Sequence, residues 1–558
     1  MDISKCSPKN NKVKKMNFLR LIITIAIVLL LFACKEPQPR PVVRIIPLPS
    51  VVTDQEGLFK ITPYTRIVLN HESEQMRRIA GFLTSHTEKY YGIVNSVVSL
   101  AAEDKESLFL KLDENLILGK EDYHLLVTSK SVIIEASTPN GLFYGIQTLI
   151  QLMPPSPKQL EEIILPAVEI KDGPRFSWRG LHLDVSRHFM PKEFIMKYLD
   201  YMAMHKFNTF HWHLADDQGW RIEVKKYPRL TEVGSVRKKT MEGHIIKYSG
   251  NDTIPIGGLY SQNDVREIIA YASDRYITVV PGIEMPGHAL AALASYPELG
   301  CTGVPYQVGT RWGSFSDVYC PGKEVTYTFL RDVIVEMSSL FPGPYFHIGG
   351  ADCSEKNWEK CPFCKLKMKT DSMSSTNDLH KYFVRRISNV IDSLGKNVIA
   401  WDDNLADSLI TKGIVMSWRG ESGGIESTQR KLQTVMSPAK YCNFDQYQTD
   451  PKGEPLAVGG LLTLEQVYNF EPIPADLSRE EAKYIIGAQA NVWTQYMKTT
   501  EYVEYMIFPR AAALSEVLWS PKASRNFPWF KKRLIEQVKR YEAEGIKYCK
   551  AEFKSSTN

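Results

Sequence analysis

The amino-acid sequence predicts a (β/α)8 TIM barrel preceded by a small α+β domain. Short apolar runs alternate with amphipathic helical stretches over residues 173–535, and polar or aromatic side chains follow the ends of these runs. A closed parallel barrel needs eight strands, and eight runs are present: Gly180–Asp184, Phe210–Leu214, Ile277–Val280, Tyr345–Ile348, Val398–Trp401, Ile414–Ser417, Thr434–Met436 and Ile486–Gln489. A doubly wound open sheet is the alternative, but no glycine-rich phosphate-binding turn follows any run.

Residues 42–172 are predicted to form the small α+β domain. Three runs of strand character precede a helical stretch at Gly141–Leu152: Ser107–Leu112, Tyr123–Thr128 and Val132–Ala136. A helix that can cover one face of a sheet is typical of an α+β arrangement. Asp172-Gly173-Pro174 is a natural hinge, so we place the boundary to the barrel there.

Within the barrel, the stretch from Asn377 to Leu394 shows the expected helical pattern. Its apolar side chains share one face, and Gly395 can end the helix. Residues 536–558 follow the predicted barrel as a C-terminal tail.

Length and composition place the chain among globular proteins. It has 558 residues, of which 44% are hydrophobic and 23% charged, which excludes a disordered or collagen-like chain. Residues 1–34 hold six basic side chains and one acidic one, so removing them from totals of 68 and 63 leaves 62 of each sign. A neutral body without a basic run gives no electrostatic footprint for nucleic acid, and we expect none to bind.

The N-terminal residues have the pattern of an export signal. Basic residues lead into the apolar run Leu21–Ala33, which is shorter than the roughly 20 residues of a membrane span. The run ends Leu31-Phe32-Ala33-Cys34, which resembles a bacterial lipoprotein signal; an ordinary signal peptide with a chance cysteine is the alternative. We predict a signal over residues 1–34, lipid attachment at Cys34 and a tether over residues 35–41. The protein would then be anchored on the periplasmic or cell-surface side of a bacterial membrane.

Export would place the remaining cysteines in an oxidising compartment. Cys301 and Cys320 bracket one loop, and we expect a disulfide between them. Cys353, Cys361 and Cys364 lie within twelve residues, and their pairing stays open. The Cys361-Pro-Phe-Cys364 spacing could indicate zinc, but a four-cysteine site would need a second pair at suitable spacing.

The ends of the predicted barrel strands carry the candidate chemistry, because active sites of such barrels form there. The side chains at these ends are carboxylates, imidazoles, guanidinium groups and indoles: Asp184, Arg187, His188, Asp216, Asp217, Glu284, His288, Asp352, Trp401, Asp402, Asp403, Trp418, Arg419, Asp445 and Trp493. Acids among three indoles, without a basic phosphate cradle, suit a neutral polyhydroxylated ligand such as a sugar. Carboxylates beside such a platform are the usual equipment for cleaving a glycosidic bond.

Structural interpretations compete at several of these positions. Asp184 can simply pair with an arginine, and Asp402-Asp403 can begin a helix, where anions are favoured. A rival class is suggested by His211 and His213, whose side chains share one strand face and could hold a metal. That interpretation needs further histidines and a closing aspartate, so we expect neither a metal nor another cofactor.

Six motifs resemble glycoside hydrolase family 20, the β-N-acetylhexosaminidases: WRGLHLDVSRHF (Trp178–Phe189), FHWHLADDQGWRIE (Phe210–Glu223), EMPGH (Glu284–His288), FHIGG (Phe346–Gly350), MSWRG (Met416–Gly420) and GAQANVWT (Gly487–Thr494). The resemblance runs from about residue 42 to 530. It implies retaining hydrolysis of terminal β-linked GlcNAc or GalNAc, without a metal. In this family the substrate's own acetamido oxygen attacks the anomeric carbon, an aspartate orients that group, and the next residue, a glutamate, protonates the leaving oxygen.

Carried over by position, the resemblance implies a nearly complete sugar pocket. Arg187 matches the arginine that grips the far hydroxyls, and Asp445 matches another ligand-facing acid. The polar frame and the pocket walls correspond to Asp216, His288, His347, Trp401, Trp418 and Trp493.

The centre of the pocket departs from the family pattern. Ala351 stands in place of the orienting aspartate, and Asp352 in place of the acid/base glutamate. Asn443 occupies the place of a tyrosine, Gln495 that of a glutamate, and Gly282 a position where glutamate is more usual. The sequence thus predicts a weakened hexosaminidase with Asp352 as the catalytic residue. The alternative is a catalytically silent lipoprotein that binds N-acetylhexosamine on the same fold.

Overall fold

A computed structural model describes residues 43–99, 106–155, 158–350, 352–405 and 413–553. The predicted signal and tether, the lipid-attachment residue Cys34 and Ala351 lie outside the described residues. Among the described residues, no helix combines the length and the apolar character that a membrane span needs.

The first part of the described chain is a mixed seven-stranded sheet with two helices. Its strands are β1 (Val51–Ile61), β2 (Ile67–Leu69), β3 (Val97–Ser99), β4 (Leu108–Leu112), β5 (Tyr123–Val127), β6 (Val132–Ala136) and β7 (Ile163–Asp172), in the spatial order β1-β7-β5-β6-β4-β2-β3. The helices are Glu74–Tyr91 and Pro139–Leu152. The second helix starts two residues before the predicted one because Thr138 caps it through the amide of Gly141.

The second part is a closed parallel barrel, which confirms the predicted fold class. Its eight strands are β8 (Trp178–Asp184), β9 (Thr209–Asp216), β13 (Thr278–Ile283), β14 (Tyr345–His347), β15 (Asn397–Trp401), β16 (Ile414–Ser417), β17 (Gln433–Met436) and β18 (Ile485–Ala490). Each pairs with the next, and β8 closes the ring by pairing with both β18 and β9. All eight predicted runs are barrel strands. The short strands β10 (Gly219–Trp220), β11 (Met241–His244) and β12 (Lys247–Asn251) lie in the connections.

Helices connect the barrel strands and pack around them. The α-helices are Lys192–Met204, Arg229–Glu232, Gln262–Asp274, Leu290–Ser295, Glu324–Leu340, Pro362–Thr370, Thr376–Ser393, Glu421–Gln429, Ala439–Cys442, Leu464–Asn469, Arg479–Ala482, Thr500–Ile507, Arg510–Trp519 and Phe527–Ala543. Short 3-10 helices cover Pro297–Leu299, Asp402–Leu405, Lys522–Ser524 and Ala551–Phe553. The helix Phe527–Ala543 runs through residue 535, the predicted end of the barrel. It is held by an ion pair of 2.6 Å between Arg533 and Glu516, both fully buried.

The interior of the barrel is lined by imidazole rings. The ring centroids of His211 and His347 are 4.2 Å apart, and those of His182 and His211 are 4.8 Å apart. His213 lies beside them, 5.5 Å from His182. Burial lowers the pKa of His182, His211 and His347 well below the ordinary value, so these three rings are neutral. The strand ends are therefore supported by a neutral aromatic layer.

The predicted disulfide between Cys301 and Cys320 is not formed. Both residues are free cysteines, and they lie in one group with Cys361 and Cys364. The prediction was wrong because it treated the two cysteines of one loop as an isolated pair. The fold brings a second cysteine pair, from a segment some forty residues later, against the same point.

Candidate active site

A chain of charged side chains crosses the carboxyl end of the barrel. Arg187 Nη2 is 2.8 Å from Asp216 Oδ2, and Asp216 Oδ1 is 3.1 Å from His288 Nδ1. The other nitrogen of His288 lies 3.9 Å from Asp352 Oδ2. These four residues come from four different strand ends, and together they form the centre of the candidate site.

Arg187 is held in place by the turn that follows β8. Asp184 Oδ1 accepts the backbone amides of Ser186 and Arg187 at 2.8 and 3.1 Å, which shapes this turn, so Asp184 does have the structural role considered above. The guanidinium donates from Nε to Gln218 Oε1 at 2.9 Å and lies 5.2 Å from the ring of Trp493. The charge is thus fixed beside an indole face.

His288 is a cation in this arrangement. Burial opposes its charge, but Asp216 and Asp217 outweigh burial and raise its pKa well above the ordinary value. Asp217 Oδ2 lies 2.8 Å from His288 Nδ1, and Asp217 Oδ1 accepts the amide of Leu290 at 3.0 Å. The backbone of His288 has φ of +52°, a left-handed conformation that is uncommon for a residue other than glycine.

Asp352 faces this cation from the loop after β14. Its side chain is 56% exposed, whereas those of Asp216 and Asp217 are buried. The nearby His288 cation lowers the pKa of Asp352 below its ordinary value. Asp352 is therefore a carboxylate at neutral pH, which suits a proton acceptor better than a proton donor.

Two of the three predicted indoles lie in contact. The ring centroids of Trp401 and Trp493 are 6.0 Å apart, and Trp401 packs on His347 at 4.6 Å. Trp418 is oriented separately, since its Nε1 donates to Asp403 Oδ2 at 2.9 Å. Asp403 lies within the 3-10 helix Asp402–Leu405, as the structural interpretation of this acid pair expects.

Glu284 is buried beneath the indoles. Its Oε1 accepts the Nε1 hydrogen of Trp401 at 3.1 Å, and burial raises its pKa. A methyl group on Gly349, which has φ of +70°, would lie 1.8 Å from Glu284 Oε2, so glycine is required there. At Gly282 a methyl group would lie 2.6 Å from His211 Nε2. Any larger side chain at residue 282 would therefore require the His211 ring to move.

Two family models match the chain over most of its length. The model of the glycosyl hydrolase family 20 catalytic domain matches residues 176–522, and the model of domain 2 of that family matches residues 42–173. The chain belongs to glycoside hydrolase family 20. The resemblance noted in the sequence is confirmed.

Relatives in family 20 are named as hexosaminidases. The beta-hexosaminidase of Porphyromonas gingivalis is 40% identical over 94% of this chain and 67% of its own length. The beta-hexosaminidase of Akkermansia muciniphila is 32% identical over 79% of this chain and 88% of its own length. These relatives establish the chain as a glycosidase of the β-N-acetylhexosaminidase class and do not favour the catalytically silent alternative.

Solved family 20 structures share the whole architecture. The β-N-acetylhexosaminidase of Streptomyces coelicolor A3(2) is 30% identical, with a TM-score of 0.80 over 93% of this chain and 99% of that chain. A mutant Streptomyces plicatus beta-hexosaminidase solved with its product GlcNAc matches with the same score, identity and coverage.

Three further residues that the family resemblance singled out make no ion pair with the charged chain. Asn443 Oδ1 accepts a hydrogen bond from Asn491 Nδ2 at 3.3 Å, which fixes the amide. Asp445 Oδ1 and Gln495 Oε1 are buried and have no hydrogen-bond partner within the part of the chain that the structure describes. Buried acceptors of this kind are costly unless a ligand or water satisfies them. Both therefore suit the hydroxyls of a bound sugar.

Sequence reasoning gave no role to three residues that organise the site. Asp217 and Gln218 fix His288 and Arg187, and Glu284 holds Trp401. Asp217 and Glu284 were noted only as acids at strand ends. A cue was available in the run Asp216-Asp217-Gln218, because three polar residues after a buried strand need partners once they are buried.

We predict that Asp445→Asn stabilises the unliganded enzyme, and more at high pH. Burial raises the pKa of Asp445 from 3.8 to about 7. The cost of ionising it in the folded state is absent below the unfolded pKa, grows as pH rises and is complete above the folded pKa. The gain in unfolding free energy should be about 2–3 kcal/mol larger at pH 8 than at pH 5. Urea denaturation at both pH values tests this, and an equal gain at both would contradict it.

Proposed function

We propose that this enzyme releases terminal β-linked N-acetylhexosamine from glycans by substrate-assisted hydrolysis, with Asp352 as the proton carrier and at a reduced rate. The observation that carries the proposal is the continuous ion-pair chain from Arg187 through Asp216 and His288 to Asp352, beside the indoles of Trp401 and Trp493. This series of ion pairs links the Arg187 guanidinium, which would bind sugar hydroxyls, to the Asp352 carboxylate, which would transfer the proton.

Each part of the site has a defined task in this scheme. Arg187, Asp445 and Gln495 bind the sugar hydroxyls at the closed end of the pocket. Trp401, Trp418 and Trp493 enclose the ring and its acetamido group, because indole faces pack against apolar C–H surfaces. Asn443 donates to the acetamido carbonyl. His347 and Asp216 hold the indoles and the His288 cation in position.

In the reaction, Asp352 gives its proton to the leaving oxygen while the acetamido oxygen attacks the anomeric carbon. The glycosidic C–O bond breaks and an oxazolinium forms. Water then attacks the anomeric carbon and opens the oxazolinium ring, while the Asp352 carboxylate takes a proton from that water. The product has the β configuration of the substrate.

Two properties of the centre slow the first step. Ala351 supplies no carboxylate to the developing oxazolinium. The His288 cation lowers the pKa of Asp352, so little of the proton-donating form is present near neutral pH. In the second step Asp352 acts as a base, and the ionised form that this step needs is the main form at neutral pH.

The test uses the chain from residue 42 onward with chitobiose as substrate. We expect slow release of GlcNAc, initially as the β anomer by ¹H NMR. We expect kcat/KM to rise about tenfold per unit as pH falls, as long as Asp352 remains mostly ionised. A β-glucoside, which lacks the acetamido group, is the matched control and should not be cleaved. Cleavage of the β-glucoside at a rate comparable to chitobiose would refute the proposal. So would a protein that binds GlcNAc but shows no turnover at every pH where circular dichroism indicates a folded state.

We further propose that the enzyme is exported and anchored to a membrane by a lipid on Cys34. The support is the sequence of residues 1–34, where basic residues, a short apolar run and the cysteine follow in order. Incorporation of radiolabelled palmitate in a bacterial host should be lost in Cys34→Ser and kept in Cys549→Ser. Equal labelling of both variants would reject the anchor.

A further inference from the structure

Four cysteines converge at a point outside the ion-pair chain. The sulfurs of Cys320 and Cys364 are 3.5 Å apart, those of Cys320 and Cys361 are 3.7 Å apart, and those of Cys301 and Cys364 are 3.9 Å apart. All four sulfurs lie within 4.8 Å of one another. Thiols are weak hydrogen-bonding groups, so hydrogen bonds among four of them do not account for this cluster.

The distances match a tetrahedron of metal ligands. With zinc–sulfur bonds of about 2.3 Å, adjacent sulfurs of a tetrahedral site lie about 3.8 Å apart. The contacts do not separate into two pairs, since Cys320 contacts both Cys361 and Cys364, and Cys364 also contacts Cys301. Two disulfides would require each sulfur to have one exclusive partner at about 2 Å.

The local sequence is built to bring these ligands together. Cys320-Pro-Gly322 enters a turn, and Cys361-Pro-Phe-Cys364 is the N-cap and first turn of the helix Pro362–Thr370, which lies against that turn. A methyl group on Gly322 would lie 2.3 Å from the carbonyl carbon of Phe363 and 2.4 Å from the amide nitrogen of Cys364. Glycine at residue 322 is thus required for the approach. The helix Pro362–Thr370 begins directly after Cys361, so its N-terminus favours thiolates at this place.

Apolar side chains enclose the four cysteines. Val318, Trp358 and Leu379 are buried against them, and Cys320 and Cys364 are themselves fully buried. A shell of this kind limits access of water and chelators to a bound ion. Exposed or reactive cysteines would instead sit in an open, electropositive place.

We propose that Cys301, Cys320, Cys361 and Cys364 bind one zinc ion as a closed structural site. Each thiol loses its proton on binding, so Zn²⁺ uptake releases four protons and leaves four thiolate ligands. Zinc is the ion of choice because a closed tetrahedral set of four sulfurs is its usual structural coordination. The site has no open position and takes no part in the hydrolysis.

The site would fix the loop that carries Asp352. Trp358 Nε1 donates to the carbonyl of Tyr319 at 2.9 Å, and Asn357 Nδ2 donates to the carbonyl of Ser316 at 2.9 Å. These bonds join the segment after Asp352 to the loop between Cys301 and Cys320. The ion would therefore clamp two long loops after neighbouring strands, β13 and β14, at their outer ends.

The test is the metal content and thiol state of the full chain, purified in mild detergent without added metal, chelator or reductant. We expect about one zinc per chain by plasma mass spectrometry. Denaturation with EDTA and iodoacetamide, again without reductant, should leave all four cysteines alkylated in the peptide map. Recovery of disulfide-linked peptides among these cysteines, a metal-free protein, or iron in place of zinc would each overturn the proposal.

Variants locate the ion at this cluster. Cys361→Ser/Cys364→Ser should reduce bound zinc from about one per chain to near zero, whereas the control Cys549→Ser, also a buried cysteine, should retain it. Because the double variant can fail to fold, a second measurement uses the unaltered protein. A mercurial should release the zinc, and Co²⁺ added to the demetallated protein should give thiolate charge-transfer and tetrahedral d–d bands. Full zinc in the double variant, or octahedral cobalt spectra, would contradict the site. These outcomes do not depend on turnover, so they stand or fall apart from the proposed function.

Discussion

Replacing Ala351 by aspartate and Asp352 by glutamate together should raise the turnover of chitobiose on the order of 10³-fold or more. The aspartate restores the charge that stabilises the oxazolinium, a kind of electrostatic contribution whose loss costs about 10²–10³-fold. The glutamate moves the proton donor by about one methylene, and a misplacement of about 1 Å can cost about 10²-fold. The two gains are not expected to multiply fully, because residues that act together are seldom additive.

Two substrates separate the two effects. A nitrophenyl glycoside has a leaving group that needs little protonation, whereas the sugar oxygen of chitobiose needs it fully. Ala351→Asp alone should therefore accelerate both substrates similarly, and Asp352→Glu alone should accelerate chitobiose more. The matched control is Asp200→Glu, which lengthens an acid on the helix Lys192–Met204 that pairs with Arg275. If the unaltered protein already turns over as fast as the double variant, our account of the centre is wrong.

Arg187→Ala should strongly destabilise the fold and raise the KM for chitobiose. The guanidinium is buried and pairs with Asp216 at 2.8 Å and with Asp184 at 3.4 Å. Removing one partner of a buried ion pair leaves an uncompensated charge, at a cost of about 3–5 kcal/mol. The loss of the hydroxyl-gripping cation should in addition raise KM. Urea denaturation gives the first effect, and the KM for chitobiose gives the second.

Arg187→Lys distinguishes the two contributions of this residue. A lysine keeps the positive charge, so most of the stability should return. It cannot bridge Asp216 and Gln218 as the forked guanidinium does, so KM should stay high. An Arg187→Ala variant as stable as the unaltered protein, with unchanged KM, would show that Arg187 neither compensates Asp216 nor contacts the sugar.

Much of the fold was predictable because the barrel strands are buried on both faces. Runs such as Tyr345–Ile348 and Val398–Trp401 are apolar without alternation, which distinguishes them from the helices between them. The edge strand β1 (Val51–Ile61) was missed because most of its side chains are exposed, so its sequence shows neither alternation nor an apolar run.

The sequence predicted which residues form the candidate site but not their protonation states. The positions of Arg187, Asp216, His288 and Asp352 at strand ends already indicate a common site, since parallel strands of a barrel end on one face. Their protonation did not follow from the sequence, because the His288 charge depends on two carboxylates placed within about 3 Å by folding. The cysteine pairing was predicted wrongly for a related reason. Cys320 and Cys361 are separated by forty residues, and their contact follows only from folding, which packs Gly322 against Phe363.

The imidazole layer inside the barrel limits how far acidity can help this enzyme. His182, His211 and His347 stay neutral when folded, yet each takes up a proton in the unfolded chain below about pH 6.5. Acidification therefore favours unfolding, and these three groups together remove about 4 kcal/mol of stability per pH unit once that pKa is passed. The low pH that protonates Asp352 thus also lowers the stability of the barrel. The usable pH range therefore has two limits. Asp352 needs low pH to hold its proton, whereas the buried histidines destabilise the fold at low pH.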